Sequence, residues 1–168
     1  MLLKHKDKIT VVWFRTGVEA SFASRRLLSP AVKEYCTLLG VAEKDVSFTS
    51  AGKPYFTDFE GQYLSVTHSA DMLLFAFAPF PLGVDAERKG ESRPKVASRY
   101  FTDEEMEADF AHVWTGREAV GKLTGVGLTD ALRTEVSGEK ATLDGKKYFL
   151  SRMEVEEFLV TFATEECL

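Results

Sequence analysis

The stretch Trp114-Thr-Gly-Arg117-Glu118-Ala-Val-Gly-Lys122 places a carboxylate and an ammonium one helical turn apart. Trp114, Glu118 and Lys122 follow one another at i+4 spacing, so a helix carries all three along one side. About thirty residues upstream, Gly83-Val-Asp85-Ala-Glu87 follows an apolar run and is typical of the end of a strand. Hard cations take oxygen ligands and usually share their site with substrate phosphates. The three carboxylates and the lysine are therefore predicted to hold one divalent cation and one phosphate.

Asp85 and Glu87 lie two residues apart, so both side chains leave the same face of the strand, roughly 6.6 Å apart along the backbone. Like charges this close repel unless a cation or hydrogen bonds compensate, and a divalent ion does so directly. The alternative is a solvated strand end with Arg88 and Lys89 as counter-charges. Glu118 and Lys122 also have a plain alternative, an exposed pair that stabilises the helix by about 0.3 kcal/mol.

Two glycines, Gly116 and Gly121, lie inside the predicted helix, where each costs about 1 kcal/mol relative to alanine. Their presence indicates that something approaches this helix closely. A ligand or a strand against the Trp114–Glu118 face fits this requirement, and ordinary helix packing fits it as well.

Other candidate sites are weaker. Thr67-His68-Ser69 follows a predicted strand and suits an anionic ligand, although a loop histidine bonded to its neighbours is the simpler interpretation. Gly52-Lys53-Pro54 is a turn by composition. Gly125-Val-Gly127 is not a phosphate loop, because no strand precedes it and no Lys-Ser/Thr follows. The chain has no G-x-S-x-G sequence, so a serine-hydrolase triad has no support.

The composition, 45% hydrophobic and 28% charged over 168 residues, is that of one soluble domain or two small halves sharing a core. The net charge of −5 argues against general nucleic-acid binding. Seven of the 21 basic residues but only two of the 26 acidic ones fall within the first 33 positions, which suggests a local anionic partner or a solvated basic face. No apolar run is long enough to span a membrane, no signal peptide is apparent, and two cysteines predict no disulfide scaffold. A cytoplasmic location is expected.

The chain is predicted to fold as an α+β protein, with helices clustered between groups of short strands. The helix over 22–39 contains Pro30, so either it starts near Ser29 or two helices meet there, and Gly40 ends it. Met72–Phe77 and Leu82–Glu87 are predicted to form an antiparallel hairpin around Pro79 and Pro81. Further predicted strands are 8–14, 46–50, 63–66, 134–136, 141–143, 148–153 and 157–163; further helices are 94–100, 103–110 with a capping box at Thr102, and the Trp114 helix.

The order of the motifs is more specific than any one of them. From about residue 24 to residue 163 the chain resembles the 4'-phosphopantetheinyl transferase family, and within it the larger, monomeric surfactin-synthetase-activating type with a shortened N-terminal part. The residues that carry the resemblance are Arg25, Arg26, Gly52-Lys53-Pro54, Leu64-Ser-Val-Thr67-His68-Ser69, Gly83-Val-Asp85-Ala-Glu87, Arg99-Tyr-Phe101 and Trp114-x-x-Arg117-Glu118-Ala119-x-x-Lys122.

The resemblance implies two similar α/β halves related by a pseudo-twofold, residues 1–80 and 81–168, with coenzyme A between them. The family moves the phosphopantetheine arm of coenzyme A onto a serine of an apo acyl or peptidyl carrier protein and releases 3',5'-ADP. By this resemblance Asp85, Glu87 and Glu118 ligate Mg²⁺, Glu118 helps to deprotonate the serine, and Lys122 stabilises charge on the bridging phosphate.

The resemblance also implies contacts to coenzyme A in the first half. Thr67 and His68 would contact its phosphates, Lys53 and Pro54 would border the adenine, and Arg25 or Arg26 would reach the 3'-phosphate. Arg117 departs from the family's usual lysine, and only 52 residues precede Lys53. A monomer is expected, with a dimer as the alternative. A non-catalytic module that binds coenzyme A or a carrier protein, and a metal-dependent phosphodiesterase, are the competing functions.

Overall fold

A computed structural model describes residues 2–167, apart from the side chains of Leu2, Ser21 and Phe22. The chain divides into two compact units, Met1–Pro81 and Leu82–Leu168, and each combines an antiparallel sheet with helices. The mixture of α and β structure is as predicted. Within the described residues, no helix is both long and apolar enough to cross a membrane.

The first unit is a four-stranded antiparallel sheet of order β1-β2-β6-β5, with a separate two-stranded ribbon, β3-β4. The long helix α1 buries one apolar side, including Val32 and Tyr35, in a core shared with Phe75 and Phe77 of β6. The elements are β1 (Leu2–Lys6), β2 (Ile9–Arg15), α1 (Ser24–Leu39), β3 (Val46–Phe48), β4 (Pro54–Phe56), β5 (Tyr63–Ser69) and β6 (Met72–Ala78), with a short 3-10 helix (Ala20–Ala23) before α1.

Helix α1 continues through Pro30, so neither predicted arrangement of this segment is right. Pro30 lies on the exposed side of the helix, where solvent can compensate for the hydrogen bond that proline cannot donate. The predicted start at Phe22 falls in the 3-10 turn, and the side chain of Phe22 lies outside the described residues. The helix ends as predicted, at Gly40, whose φ of 68° suits a residue without Cβ.

The hairpin predicted from Met72 to Glu87 is wrong. Strand β6 is already paired on both edges, with β2 and with β5, so it has no free edge for the strand that follows Pro81. The segment with Pro79 and Pro81 instead ends the first unit, and the second unit begins at Leu82. Strand β5 also runs three residues further than predicted, to Ser69, and thereby includes Thr67 and His68.

The second unit is a five-stranded antiparallel sheet of order β7-β11-β10-β9-β8, and the helix α4 packs against β7 and β11. The strands predicted at 134–136, 141–143, 148–153 and 157–163 are confirmed, and they form two antiparallel pairs, β8 with β9 and β10 with β11. The capping box at Thr102 is confirmed too, although its helix ends at Met106. The elements are β7 (Gly83–Arg88), α2 (Pro94–Tyr100), α3 (Asp103–Met106), α4 (Phe110–Thr124), α5 (Leu128–Ala131), β8 (Glu135–Ser137), β9 (Lys140–Leu143), β10 (Lys146–Val155) and β11 (Phe158–Thr164).

Glycines allow α4 to pack closely on its neighbours. A Cβ at Gly83 of β7 would lie 2.0 Å from the Ala119 carbonyl oxygen and 2.4 Å from the Leu123 backbone nitrogen. A Cβ at Gly121 would lie 2.5 Å from the Cβ of Ala131, and one at Gly116 would meet Val136 and Leu150 side chains at about 3 Å. The sequence left open whether Gly116 and Gly121 admit a ligand or allow close packing. The structure shows that they allow close packing.

Candidate functional site

Asp85 and Glu87 lie on the same face of β7, opposite Thr161 and Leu159 of β11. Only 6% of Asp85 and 4% of Glu87 is exposed. Two carboxylates buried side by side need positive partners, since an uncompensated buried charge costs several kcal/mol. This burial rules out the solvated strand end that the sequence left open.

Lys122 of α4 is the partner of Asp85. Its Nζ donates to Asp85 Oδ1 at 2.7 Å, and the two groups belong to the helix and the strand that Gly83 brings together. The side chain of Lys122 is 31% exposed and that of Asp85 only 8%. Lys122 therefore bonds to a carboxylate on the neighbouring strand. This differs from the exposed Glu118–Lys122 pair within the helix that the sequence offered as the alternative.

Glu118 lies one turn before Lys122 and is half-buried. The pKa of Glu118 is raised to about 7, mainly by burial and in second place by the negative charge on Asp85. Lys122 and Arg93 act in the opposite direction and lower this pKa, while Glu87 raises it. The three carboxylates predicted as a set are thus electrostatically coupled, and two cations share the same small region.

Arg93 is a member of this cluster that the sequence did not single out. Its guanidinium donates to Glu87 Oε2 at 2.7 Å, while Glu87 Oε1 accepts from the Arg88 backbone N–H at 3.2 Å. The same guanidinium lies 5.6 Å from the ring centre of Trp114 and 6.0 Å from that of Phe110. Nothing in the spacing of Arg93 indicates these contacts, because they depend on where the chain between β7 and α2 returns to α4.

The donor set suits a hard divalent cation by its chemistry, because it offers three carboxylates, and the pKa of Glu118 is raised by burial and by the charges of Asp85 and Glu87. Between residues 2 and 167, however, no three His, Cys, Asp or Glu side chains are already arranged as a ligand set. Lys122 and Arg93 hold Asp85 and Glu87 instead. Asp85, Glu87 and Glu118 therefore fit a Mg²⁺ site in composition, and their role as ligands stays a prediction.

Arg117 is next to Glu118 in the sequence, but its side chain bonds to residues outside the carboxylate cluster. It is only 2% exposed. Its guanidinium donates to Glu105 Oε2 at 2.5 Å and to the backbone carbonyl of Leu132. Glu105 also accepts from the backbone N–H groups of Thr102 and, at 2.8 Å, of Val136 in β8. The basic residue of the helical motif thus ties α3, α4 and the sheet together, and takes no part in the carboxylate cluster.

Arg117→Met is expected to lower the free energy of unfolding by about 3 kcal/mol, because it leaves Glu105 as a buried charge without its cation. Urea denaturation followed by circular dichroism measures the loss. The matched control is Arg133→Met, which removes an arginine whose pairs with Asp130 and Asp144 are exposed and should cost under about 1 kcal/mol. Equal losses for the two variants would contradict this structural role for Arg117.

The first unit brings two of the predicted coenzyme A contacts together. Arg25 and Pro54 line one cleft of about 110 Å³, with Gly52 and Phe48 beside them, and the guanidinium of Arg25 lies 5.2 Å from the Phe48 ring centre. Arg26 is exposed and does not line this cleft. Burial lowers the pKa of Lys53 from its ordinary value.

Thr67 and His68 are consecutive in β5, so their side chains point to opposite faces of the sheet. Thr67 is buried and His68 is exposed. One ligand lying on one face of the strand does not reach both side chains. Their shared contact with phosphates stays a prediction, and the alternation of the strand favours His68.

Comparison with known proteins supports the resemblance read from the motifs. The model of the 4'-phosphopantetheinyl transferase superfamily matches residues 81–160, the segment that holds Asp85, Glu87, Glu118 and Lys122. The 4'-phosphopantetheinyl transferase psf-1 of Bacillus pumilus is 30% identical over 92 residues, which are 48% of this chain and 40% of that protein.

Two further relatives are also 4'-phosphopantetheinyl transferases. The transferase Sfp of Bacillus subtilis (strain 168) is 27% identical over 52% of this chain and 45% of its own length. The transferase gsp of Aneurinibacillus migulanus is 27% identical over 66% of this chain and 52% of its own length. The matches span about half the length of these curated relatives. The predicted resemblance to the surfactin-synthetase-activating type is confirmed.

Proposed function

We propose that this chain transfers the 4'-phosphopantetheine arm of coenzyme A to a serine of an apo acyl or peptidyl carrier protein, with Mg²⁺, and releases 3',5'-ADP. The single observation that carries the proposal is the coupled cluster of Asp85, Glu87, Glu118 and Lys122 in the segment that matches the superfamily. A cytoplasmic location, a monomeric state and a pseudo-twofold relation between the two halves belong to the same proposal.

The cluster supplies what displacement at a phosphoryl centre needs. Such reactions are catalysed mainly by positioning and by neutralisation of developing charge, so no covalent nucleophile from the enzyme is required. Asp85, Glu87 and Glu118 would hold the Mg²⁺, which supplies positive charge to the diphosphate when bound. Lys122 carries a further positive charge for the leaving phosphate oxygen. Glu118, with its raised pKa, is suited to accept the proton of the incoming serine hydroxyl.

The cleft of Arg25 and Pro54 is our candidate for the nucleotide end of coenzyme A. An arginine that approaches an aromatic ring and a buried proline suits a planar base with a phosphate beside it. Lys53 stands between Gly52 and Pro54 in the sequence, and both of these residues line the cleft.

The proposed function is tested by mass spectrometry of an apo carrier protein incubated with coenzyme A, Mg²⁺ and the full chain. A gain of one phosphopantetheinyl group on the carrier serine, dependent on all three components, is expected. Coenzyme A binding by calorimetry without any transfer, across several carriers, would favour the non-catalytic binding module instead. Hydrolysis of coenzyme A without a carrier would favour the phosphodiesterase.

The raised pKa of Glu118 predicts a dependence of stability on pH in the absence of metal. Between the ordinary value of 4.5 and about 7, the folded protein holds a proton on Glu118 that the unfolded chain has released. The free energy of unfolding attributable to this group is therefore greatest below pH 4.5 and is lost as pH rises through about 7.

Urea denaturation at several pH values measures this dependence, with Glu118→Gln as the variant that cannot titrate. The fall in stability from pH 5 to pH 8 should be smaller in Glu118→Gln than in the unsubstituted chain. Parallel curves for the two proteins would refute the assignment of a raised pKa to Glu118.

Arg25→Gln is expected to raise the KM for coenzyme A about tenfold, because a charge-assisted bond to the 3'-phosphate is worth roughly 1.5–3 kcal/mol. Arg26→Gln is the matched control and should leave KM within about twofold, since Arg26 lies outside the cleft. Dephospho-coenzyme A lacks the 3'-phosphate, so the difference between the two variants should disappear with it. A difference that persists with dephospho-coenzyme A would show that Arg25 does not bind this phosphate.

A further inference from the structure

Two cations lie among the clustered carboxylates Asp85, Glu87 and Glu118: Lys122 contacts Asp85 and Arg93 contacts Glu87. We propose that Arg93 is the resident counter-cation of Glu87, which a divalent ion must displace in order to bind, so that Arg93 sets the metal affinity of the site. This inference rests on the proposed function, because it takes Glu87 as a ligand of the metal.

Glu87 has both of its oxygens engaged. Oε2 accepts from Arg93 at 2.7 Å and Oε1 accepts from the Arg88 backbone N–H at 3.2 Å, while the side chain is only 6% exposed. A carboxylate this deeply buried needs a positive partner, and without metal Arg93 supplies the charge. A divalent ion brings its own charge to the same oxygens, so the two cations compete for one carboxylate.

Arg93 is the partner that can move. Its side chain is 41% exposed, so the guanidinium can turn outward into water without the cost of burying a charge. Glu87 lies in β7 opposite Leu159, and its side chain is only 6% exposed, so its carboxylate has no comparable route into water. Arg93 also lies 3.8 Å from Glu91, an exposed carboxylate that offers it a second partner.

The direction of the effect separates this role from a structural one. If Arg93 only held Glu87 in the correct position, its removal would disorder a ligand and weaken metal binding. If Arg93 competes with the metal, its removal takes one competing positive charge away from Glu87 and strengthens metal binding. The two roles predict changes of opposite sign in the same measured affinity.

The affinity is measured with Mn²⁺ by electron paramagnetic resonance of the free ion and with Mg²⁺ by calorimetry, on the full chain without coenzyme A. Arg93→Gln is expected to tighten both ions at least about threefold, a modest change because the ion pair is partly exposed. Arg93→Lys keeps the charge and should bind metal within about twofold of the unsubstituted chain.

Lys89→Gln is the matched control for charge. Lys89 follows β7 and pairs with the exposed Glu154, so this substitution removes the same charge from the same segment without freeing Glu87. A gain in Arg93→Gln no larger than the gain in Lys89→Gln would overturn the proposal, and so would a loss of affinity. Absence of any metal binding in the unsubstituted chain would overturn it too.

Trp114 provides an independent readout, since the guanidinium lies 5.6 Å from its ring centre. With Trp13→Phe in the background, Trp114 is the sole tryptophan. Mg²⁺ is expected to shift its emission as Arg93 leaves the ring, and Arg93→Gln should abolish the shift. An unchanged shift in Arg93→Gln would count against displacement.

The carrier assay keeps the two hypotheses separate. Transfer to the carrier together with unaltered metal affinity in Arg93→Gln would sustain the proposed function and reject the role of Arg93. Metal binding that tightens in Arg93→Gln, without transfer to any carrier, would sustain the role of Arg93 and reject the transferase.

Discussion

Asp85→Asn is expected to abolish the proposed transfer, with kcat/KM for the carrier falling by about 10³-fold, because Asp85 would help to hold a metal ion that stabilises transition-state charge by several kcal/mol. Asparagine keeps the size of the side chain and the oxygen that accepts from Lys122 at 2.7 Å, so the local packing should survive. The substitution removes the negative charge that the metal would need and replaces one carboxylate oxygen by an NH2 group. The loss should therefore be a loss of chemistry and of metal binding.

Two measurements check this expectation for Asp85. Transfer is followed by mass spectrometry of the carrier, and Mg²⁺ binding by calorimetry on the same preparation. The control is Asp130→Asn, which removes an exposed carboxylate that pairs with Arg133 in the same unit. Transfer by Asp85→Asn at a rate within tenfold of the control would refute the assignment of this cluster as the active site.

Gly83→Ala is expected to have the largest effect on stability, more than about 4 kcal/mol, because overpacking against backbone has no flexible side chain to absorb it. The new Cβ would lie 2.0 Å from the Ala119 carbonyl oxygen and 2.4 Å from the Leu123 nitrogen. Both are backbone atoms of α4, so the helix must move away from β7. Because the two elements carry Asp85 and Lys122, we expect transfer to fail together with folding.

Urea denaturation and the near-ultraviolet circular dichroism of the chain measure this effect. Gly127→Ala is the matched control, since its Cβ would meet nothing within 4 Å and its φ of −66° is open to any residue. That control should change the free energy of unfolding by less than about 0.5 kcal/mol. A Gly83→Ala variant as stable as Gly127→Ala would mean that β7 and α4 tolerate a wider spacing.

Local patterns predicted most of the strands and helices, because their determinants lie within a few residues. The capping box at Thr102 and the glycine after Leu39 each fix a helix end by bonds within one turn. The predicted hairpin around Pro79 is wrong because strand pairing is decided by residues far away in the sequence. Whether β6 pairs with the next strand depends on β2, which occupies its edge from more than fifty residues upstream.

In the candidate site, too, local spacing could be predicted and contacts between separate elements could not. The spacing of Asp85 with Glu87 and of Glu118 with Lys122 correctly predicted which side chains share a face. It did not predict that Lys122 bonds to Asp85, because that contact depends on the distance between strand and helix. Gly83 is what sets this distance, and an isolated glycine at the start of a strand is a recognised indication of close backbone approach.

The contacts of Arg117 and Arg93 could not be predicted from the sequence. Arg117 follows the motif's charge pattern, yet its partner Glu105 is supplied by the capping box of another helix. Arg93 precedes Pro94, the first residue of α2, which identified a helix start but gave no reason to place its side chain on Glu87. Both partners depend on how separate elements converge.

The hydrogen bond from Val136 to Glu105 has a consequence for association between molecules. Strand β8 is an outer strand of its sheet, and outer strands offer unpaired N–H groups as templates for a foreign strand. The carboxylate of Glu105 already accepts from the Val136 N–H, so that donor is not on offer to another chain. The same buried glutamate that anchors Arg117 thereby also occupies a backbone donor at the edge of the sheet.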